Sequence, residues 1–216
     1  MLIASASARP ELLAQHFPGL QSTPAPMPAA PFEFVHQHLG AFGREATERK
    51  LPELLAEAEA LIAGRRALIV THLPCVEATR AALPGVAVRW HGGTVGDDDF
   101  GDVEVVIDYG GAFARRRDVF RLASAEAGRI IPPAAPVRTS AVALLSTGEG
   151  VRFDRLAYVD DAAQAVHAGI YDASILQAIG RGRGLNRTAA NPVEVHVFAN
   201  WPCRNRRAKS ADLESY

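Results

Sequence analysis

Apolar and polar positions along the 216 residues alternate between short continuous runs, which read as strands, and helical repeats. The run Leu2 to Ala6 predicts a buried strand, followed by Arg9-Pro10 and a short helix through Leu12, Leu13 and Phe17. Prolines at 24, 26, 28 and 31 remove backbone donors and fix φ, so 18–31 is expected to be an extended linker. Phe32 and Phe34 alternate with Glu33 and His36 as in a strand over 32–38, and Leu51, Leu54, Leu55, Ala58 and Ile62 recur at helical spacing within 44–63. Then comes a strand at 67–71, a helix at 76–83, a strand at 86–90 and, after a Gly/Asp-rich stretch at 92–102, a strand at 103–108. Apolar runs separated by helices predict an α/β fold, a parallel sheet with helices on both faces. Pro132, Pro133 and Pro136 mark an excursion, 140–145 with 151–159 predict an inserted hairpin, and a helix at 171–179 leads through Gly182 and Gly184 to a last strand at 193–199. The expected division is 1–63 as a Pro-rich arm with a connecting helix, 64–202 as the α/β domain, and 203–216 as a basic tail.

Composition narrows this picture. Hydrophobic residues make up 48% and charged residues 22%, enough for a core and against general disorder. The formal charge of -1 supplies no global field for a polyanion, so any such contact must be local. Lys50 and Lys209 are the only lysines, so the 23 basic residues are nearly all arginine, the better fork for phosphate. Cys75 and Cys203 are too few for a disulfide framework. No stretch of 18 apolar residues occurs, and a soluble, cytoplasmic protein without membrane contact is expected.

The segment richest in chemistry is Ser174-Ile-Leu-Gln-Ala-Ile-Gly-Arg-Gly-Arg-Gly-Leu-Asn-Arg187. Gln177 and Arg181 are four apart and share a helix face, while Ile175 and Ile179 share another. Gly182 and Gly184 are expected to end the helix and let Arg181, Arg183 and Arg187 converge on one turn, where bidentate bonds to phosphate are the natural use. The same residues also fit a solvated helix end whose cations complement the dipole. Gly92, Gly93 and Gly96 offer backbone N–H groups to phosphate oxygens and Thr94 a hydroxyl, but Asp97, Asp98 and Asp99 repel a nearby phosphate, and a solvated turn fits equally. His36 and His38 share a strand face without a third ligand at metal-site spacing. His72 and His91 follow the ends of adjacent strands, where α/β folds place ligands. Arg204, Arg206, Arg207 and Lys209 make the tail locally basic.

Gln177-Ala-Ile-Gly180-Arg181 with the arginines after it resembles motif VI of superfamily 2 helicases. In matching order, Leu2 to Ser7 resembles motif III, Ala67 to His72 the strand opening the second motor domain, and Trp90 to Asp102 motif V of phage or plasmid primase-helicases. The resemblance implies a RecA-like second motor domain that supplies an arginine finger to ATP held by the first. It implies catalytic roles for Arg181, Arg183 and Arg187, cofactor contacts from Gln177, Gly180, Gly96 and Asp98, and nucleic-acid contacts from Thr71, His72, Gly92, Gly93 and Thr94. DNA is the expected track ahead of RNA. The arginines are expected on the same side of the sheet as Gly92 to Gly96. In one respect the chain departs from the family: the position three residues after Arg181 is Gly184, with arginines at 183 and 187, which leaves the finger's identity open between those two.

Phosphoryl transfer also needs a phosphate loop with its lysine and a magnesium-holding carboxylate. No Gly-x-x-x-x-Gly-Lys-Ser/Thr occurs here. ATP and Mg are therefore expected only with a phosphate-loop domain supplied in cis or in trans, and the strand at Met1 fits either a gene fragment or one subunit of a split enzyme. Two other classes remain: a RecA-like interaction module without catalysis, and a small nucleotide-binding enzyme using the glycine turn after Trp90.

Overall fold

The computed structural model describes residues 30–93, 100–144, 150–199 and 209–210. The strand expected at Leu2 to Ala6, the proline-rich arm before residue 30 and nearly all of the tail lie outside them. The elements run β1 (Glu33–Leu39), α1 (Arg44–Arg49), α2 (Leu51–Ile62), β2 (Ala67–Thr71), α3 (Val76–Ala82), β3 (Ala87–Trp90), β4 (Val105–Tyr109), α4 (Arg116–Ala127), β5 (Val137–Leu144), β6 (Gly150–Ala157), α5 (Asp161–Gly180), β7 (Val193–Ala199) and β8 (Lys209–Ser210).

Six strands form one sheet in the order β3-β2-β4-β7-β1-β8, and every pairing in it is parallel. β2 and β4 are buried at every residue, as expected of central strands covered on both faces and written as continuous apolar runs. On one face, Leu54, Ala58 and Ile62 of α2 pack on Ala67, Ile69, Val105, Ile107 and Phe198, with Leu83 beside them. On the other, Tyr171, Ile175, Ala178 and Ile179 of α5 pack on Leu68, Val70, Val106, Val195 and Val197. Each Leu or Ile so buried contributes about 1.5–3 kcal/mol over its exposed state. The chain therefore has the RecA-like α/β architecture, helices on both faces of a parallel sheet. The inserted hairpin is present as the antiparallel pair β5 and β6.

Several boundaries have local causes. The helix expected over 44–63 breaks at Lys50, because Pro52 in the first turn of α2 has no N–H to continue the ladder from α1. Asp160 caps α5 by accepting from the backbone N–H groups of Ala162 and Ala163 at 3.0 and 3.1 Å.

Residues 33–62 are not a connector standing apart from the α/β unit. β1 pairs with β7 along its whole length, from Glu33 with Val193 to Leu39 with Ala199, and α2 fills one face of the core.

Candidate functional site

A parallel sheet sends all its strand ends to one edge and all its starts to the other. Across strands of five to seven residues those edges stand roughly 15–20 Å apart. The sequence-derived candidates divide between them.

Helix α5 runs back across the sheet and ends at the edge where strands start. Gln177 and Gly180 are exposed there, and Arg181 and Arg183 are half-buried. Gly182 is buried against Val193 and Val106, near the starts of β7 and β4. Arg183 takes the left-handed conformation, φ 49°, and its side chain passes over Gly101. At Gly184 a Cβ would run into the Glu33 side chain, which would have to shift where the turn crosses the start of β1.

Arg187 has another duty than the resemblance implies. It is 5% exposed, its Nε donates to the Gly182 carbonyl at 2.7 Å, one terminal nitrogen to the Val103 carbonyl at 2.6 Å and the other to Asn191 Oδ1 at 3.1 Å. Those bonds tie the turn after α5 to the segment entering β4. A guanidinium held this way cannot reach out to a nucleotide, which leaves Arg181 and Arg183, of the three arginines expected to contact phosphate, as candidates on this edge.

The opposite edge gathers Phe42 after β1, His72 after β2, His91, Gly92 and Gly93 after β3, and Gly110 and Gly111 after β4. The connection after β2 lies on the α2 face through Leu83, whereas the one after β4 lies on the α5 face. The gap between β2 and β4 is thus a topological switch point, where open α/β sheets hold ligands. His91 and Asp108 form a buried pair there, Nε2 to Oδ1 at 2.8 Å, with 5% and 0% side-chain exposure. Burial pushes the Asp108 carboxyl up, and the His91 ring beside it pulls the other way. His72 packs edge-on against His91 with ring centroids 4.9 Å apart, and its Nε2 lies 3.1 Å from the Phe42 carbonyl. Burial, then the neighbouring His91, lowers His72 to about 4.

Of the residues expected to contact nucleic acid, Thr71 and His72 lie inside this edge. Thr71 is fully buried, so its side chain is not offered to a strand lying on the surface. Gly92 has φ 89°, and Gly93 sits beneath the Trp90 indole so closely that a Cβ would collide with it. Thr94, Gly96 and Asp98 lie outside the described residues. The expectation that the arginines share a side with the glycine turn is not met for Gly92 and Gly93. The turn follows a strand end, while the arginines stand beside strand starts.

A histidine cluster also forms that the sequence could not assemble. The register of β1 and β7 sets His36 opposite His196, with rings stacked at 4.8 Å, and His38 Nε2 lies 3.2 Å from His196 Nδ1. His38 and His196 are both lowered to about 4, chiefly by burial and then by the neighbouring imidazoles. Among the described residues no group of three or more His, Cys, Asp or Glu side chains is arranged to hold a metal ion.

Among the described residues no helix is long and apolar enough to cross a membrane. No protein-family model, no curated protein and no solved structure matches the chain.

Proposed function

We propose that the chain is the arginine-supplying half of an ATP-driven nucleic-acid motor, a C-terminal RecA-like domain of the superfamily 2 helicase kind. The observation that carries this reading is the exit of α5. Gln177 and Gly180 are exposed, and Arg181 and Arg183 are half-exposed on a turn that Arg187 clamps to the sheet. A finger must arrive with little freedom left, because a donor already aimed at developing phosphate charge needs no reorganisation in the transition state.

Arg181 is the first phosphate contact and Arg183 the finger, with Gln177 and Gly180 bordering the nucleotide. The opposite edge, with His72, Gly92 and Gly93, faces the nucleic acid, DNA ahead of RNA, in the cytoplasm. Having no phosphate loop among its 216 residues, the chain receives ATP and Mg only together with a phosphate-loop domain. Alone it should turn over ATP at background rate, with or without DNA.

The test compares ATP turnover by the chain alone with turnover after a phosphate-loop motor domain is added in cis or in trans. The combined enzyme should be stimulated by nucleic acid and lose about 10³-fold or more in kcat with Arg181→Ala or Arg183→Lys, since lysine cannot reproduce the planar fork. Full turnover in both variants, or Arg181-dependent turnover by the chain alone, would overturn the reading.

A further inference from the structure

The loop that leaves β4 presents a feature that the proposed motor roles have not used. It reads Gly110-Gly-Ala-Phe-Ala-Arg-Arg-Arg117 and leads into α4. We propose that Phe113 with Arg115, Arg116 and Arg117 binds single-stranded nucleic acid, the phenyl ring against a base and the guanidinium groups against its phosphates. The inference rests on the reading above that this edge faces nucleic acid, and it adds the residues and the strandedness.

The loop is built to hold its shape. Gly110 N–H donates to the Phe198 carbonyl at 2.7 Å, and Ala112 N–H donates to Ser174 Oγ at 2.8 Å. A Cβ at Gly111 would lie 2.8 Å from the Tyr171 ring, so the loop sits flat on α5. Phe113 is thereby backed on its inner side by Tyr171 and His167, with ring centroids at 5.0 and 5.8 Å, yet it remains 39% exposed. A large apolar ring fixed from behind and open in front is what base stacking requires.

The cations stand directly beside it. Arg115, Arg116, Arg117 and, one turn on, Arg121 are all exposed. Among the described residues Arg115 and Arg116 have no ion-pair partner, and Arg117 has only Asp118, with Nε 3.8 Å from Oδ1. Arg44 adds a further charge beside it, next to Gly43, where an added Cβ would lie 3.9 Å from the Phe113 ring; the Arg44 side chain is 64% exposed and only loosely paired with Glu48 at 3.7 Å. In a chain whose formal charge is -1, this is a local concentration of positive charge.

Helix formation does not account for these residues. Arg115 occupies the N-cap without a side-chain capping bond, and Arg116 and Arg117 fill the first turn, where the helix dipole disfavours cations. A polyanion that covers the patch removes that penalty. An acidic polypeptide would satisfy the arginines but would leave the open ring unused, and in a duplex the bases already stack on each other. A single strand uses both.

Fluorescence anisotropy with a labelled oligothymidylate tests this on the intact chain, with a duplex of the same length and polyglutamate as competitors. The single strand should bind more tightly than either. Phe113→Ala should weaken binding about tenfold, and Phe113→Trp, which keeps an aromatic face, should restore it. Replacing Arg115, Arg116 and Arg117 together by Gln should flatten the slope of log affinity against log salt by about 2. Arg116→Glu should also bind poorly while its melting temperature holds or rises, which separates lost contact from lost fold. Wild-type affinity in the Phe113 and arginine variants would overturn the inference and leave the motor reading standing, with the strand bound elsewhere on the edge. No binding by the wild type would also overturn it, and the Arg181 and Arg183 turnover comparison would then judge the motor reading separately. Competition by polyglutamate equal to that of the oligonucleotide would overturn it in favour of an acidic protein partner.

Discussion

Gly110 holds three elements together at one point. Its φ of 81° lies in the left-handed region, and a Cβ there would run into the Phe42 carbonyl while approaching His72 Nε2 to 2.9 Å. Gly110→Ala should therefore lower stability by about 2 kcal/mol or more, read as a shifted urea midpoint, and an unchanged midpoint would show that the loop relaxes freely. The histidines give a second consequence at this scale. His38 and His196 sit near 4 when folded, against an ordinary histidine value of 6.5. Between those values the unfolded chain binds more protons than the folded one, so stability is complete above about pH 6.5 and falls as pH drops toward 4. Glu194, 3.9 Å from His196 Nε2, and Glu57, 4.0 Å from His38 Nδ1, favour the charged form, while Arg65 and His36 oppose it. Urea midpoints measured from pH 7 to pH 4.5 should decline, and His196→Gln should flatten the decline. A profile unchanged by that substitution would remove the cluster as its cause.

The exit of α5 is where an element's stability and its proposed chemistry separate. Arg187 crosses from the turn to the start of β4 with three of its nitrogens bonded inside the protein. Arg187→Ala would leave the Gly182 and Val103 carbonyls without those donors, at a cost of about 2–4 kcal/mol. Lysine should recover little, since one ammonium cannot span three acceptors held by a planar fork. Arg183→Ala, at a half-buried residue, should cost less than Arg187→Ala. Thermal melts of the three variants would rank them, and a larger loss at Arg183 than at Arg187 would reverse the assignment of clamp and presented arginine.

At the scale of the whole molecule, the parallel pairing of β1 with β7 and the packing of α2 on Ile69 and Ile107 tie β1 and α2 to the same core as β2, β4 and β7. Unfolding should show a single transition, with amides of Glu33–Leu39 exchanging as slowly as those of Val193–Ala199. Among the described residues the β5–β6 hairpin has no third strand, and it exposes Val142 and Leu156, so it should exchange faster. Early loss of protection in β1 ahead of β7 would restore the division that sets 1–63 apart from the α/β domain.

Patterning alone was enough to find β2, β4 and β7, the hairpin and the helix leading to Arg181, because continuous apolar runs and 3.6-residue spacing report burial directly. It also isolated Gln177, Gly180, Arg181 and Arg183 on one helix end. Helix α4 escaped it, since an arginine-rich start and few apolar positions, chiefly Val119, Phe120 and Ala123, give a weak signal until α5 covers them. The first half of α5 was hidden in the same way among its alanines. Only the tertiary structure could decide which candidates share an edge, because strand order and crossover direction are long-range properties. Arg187 joins the turn after α5 to Val103, 84 residues earlier, and no local spacing separates such a clamp from a finger. His36 and His38 likewise meet His196 only once β1 has chosen β7 as its neighbour, 158 residues away for the His38 pair. Residue type and local period set what each segment can become. Pairing across the sheet, which minimises buried unpaired backbone and exposed apolar surface together, determined which chemistry came to stand beside which.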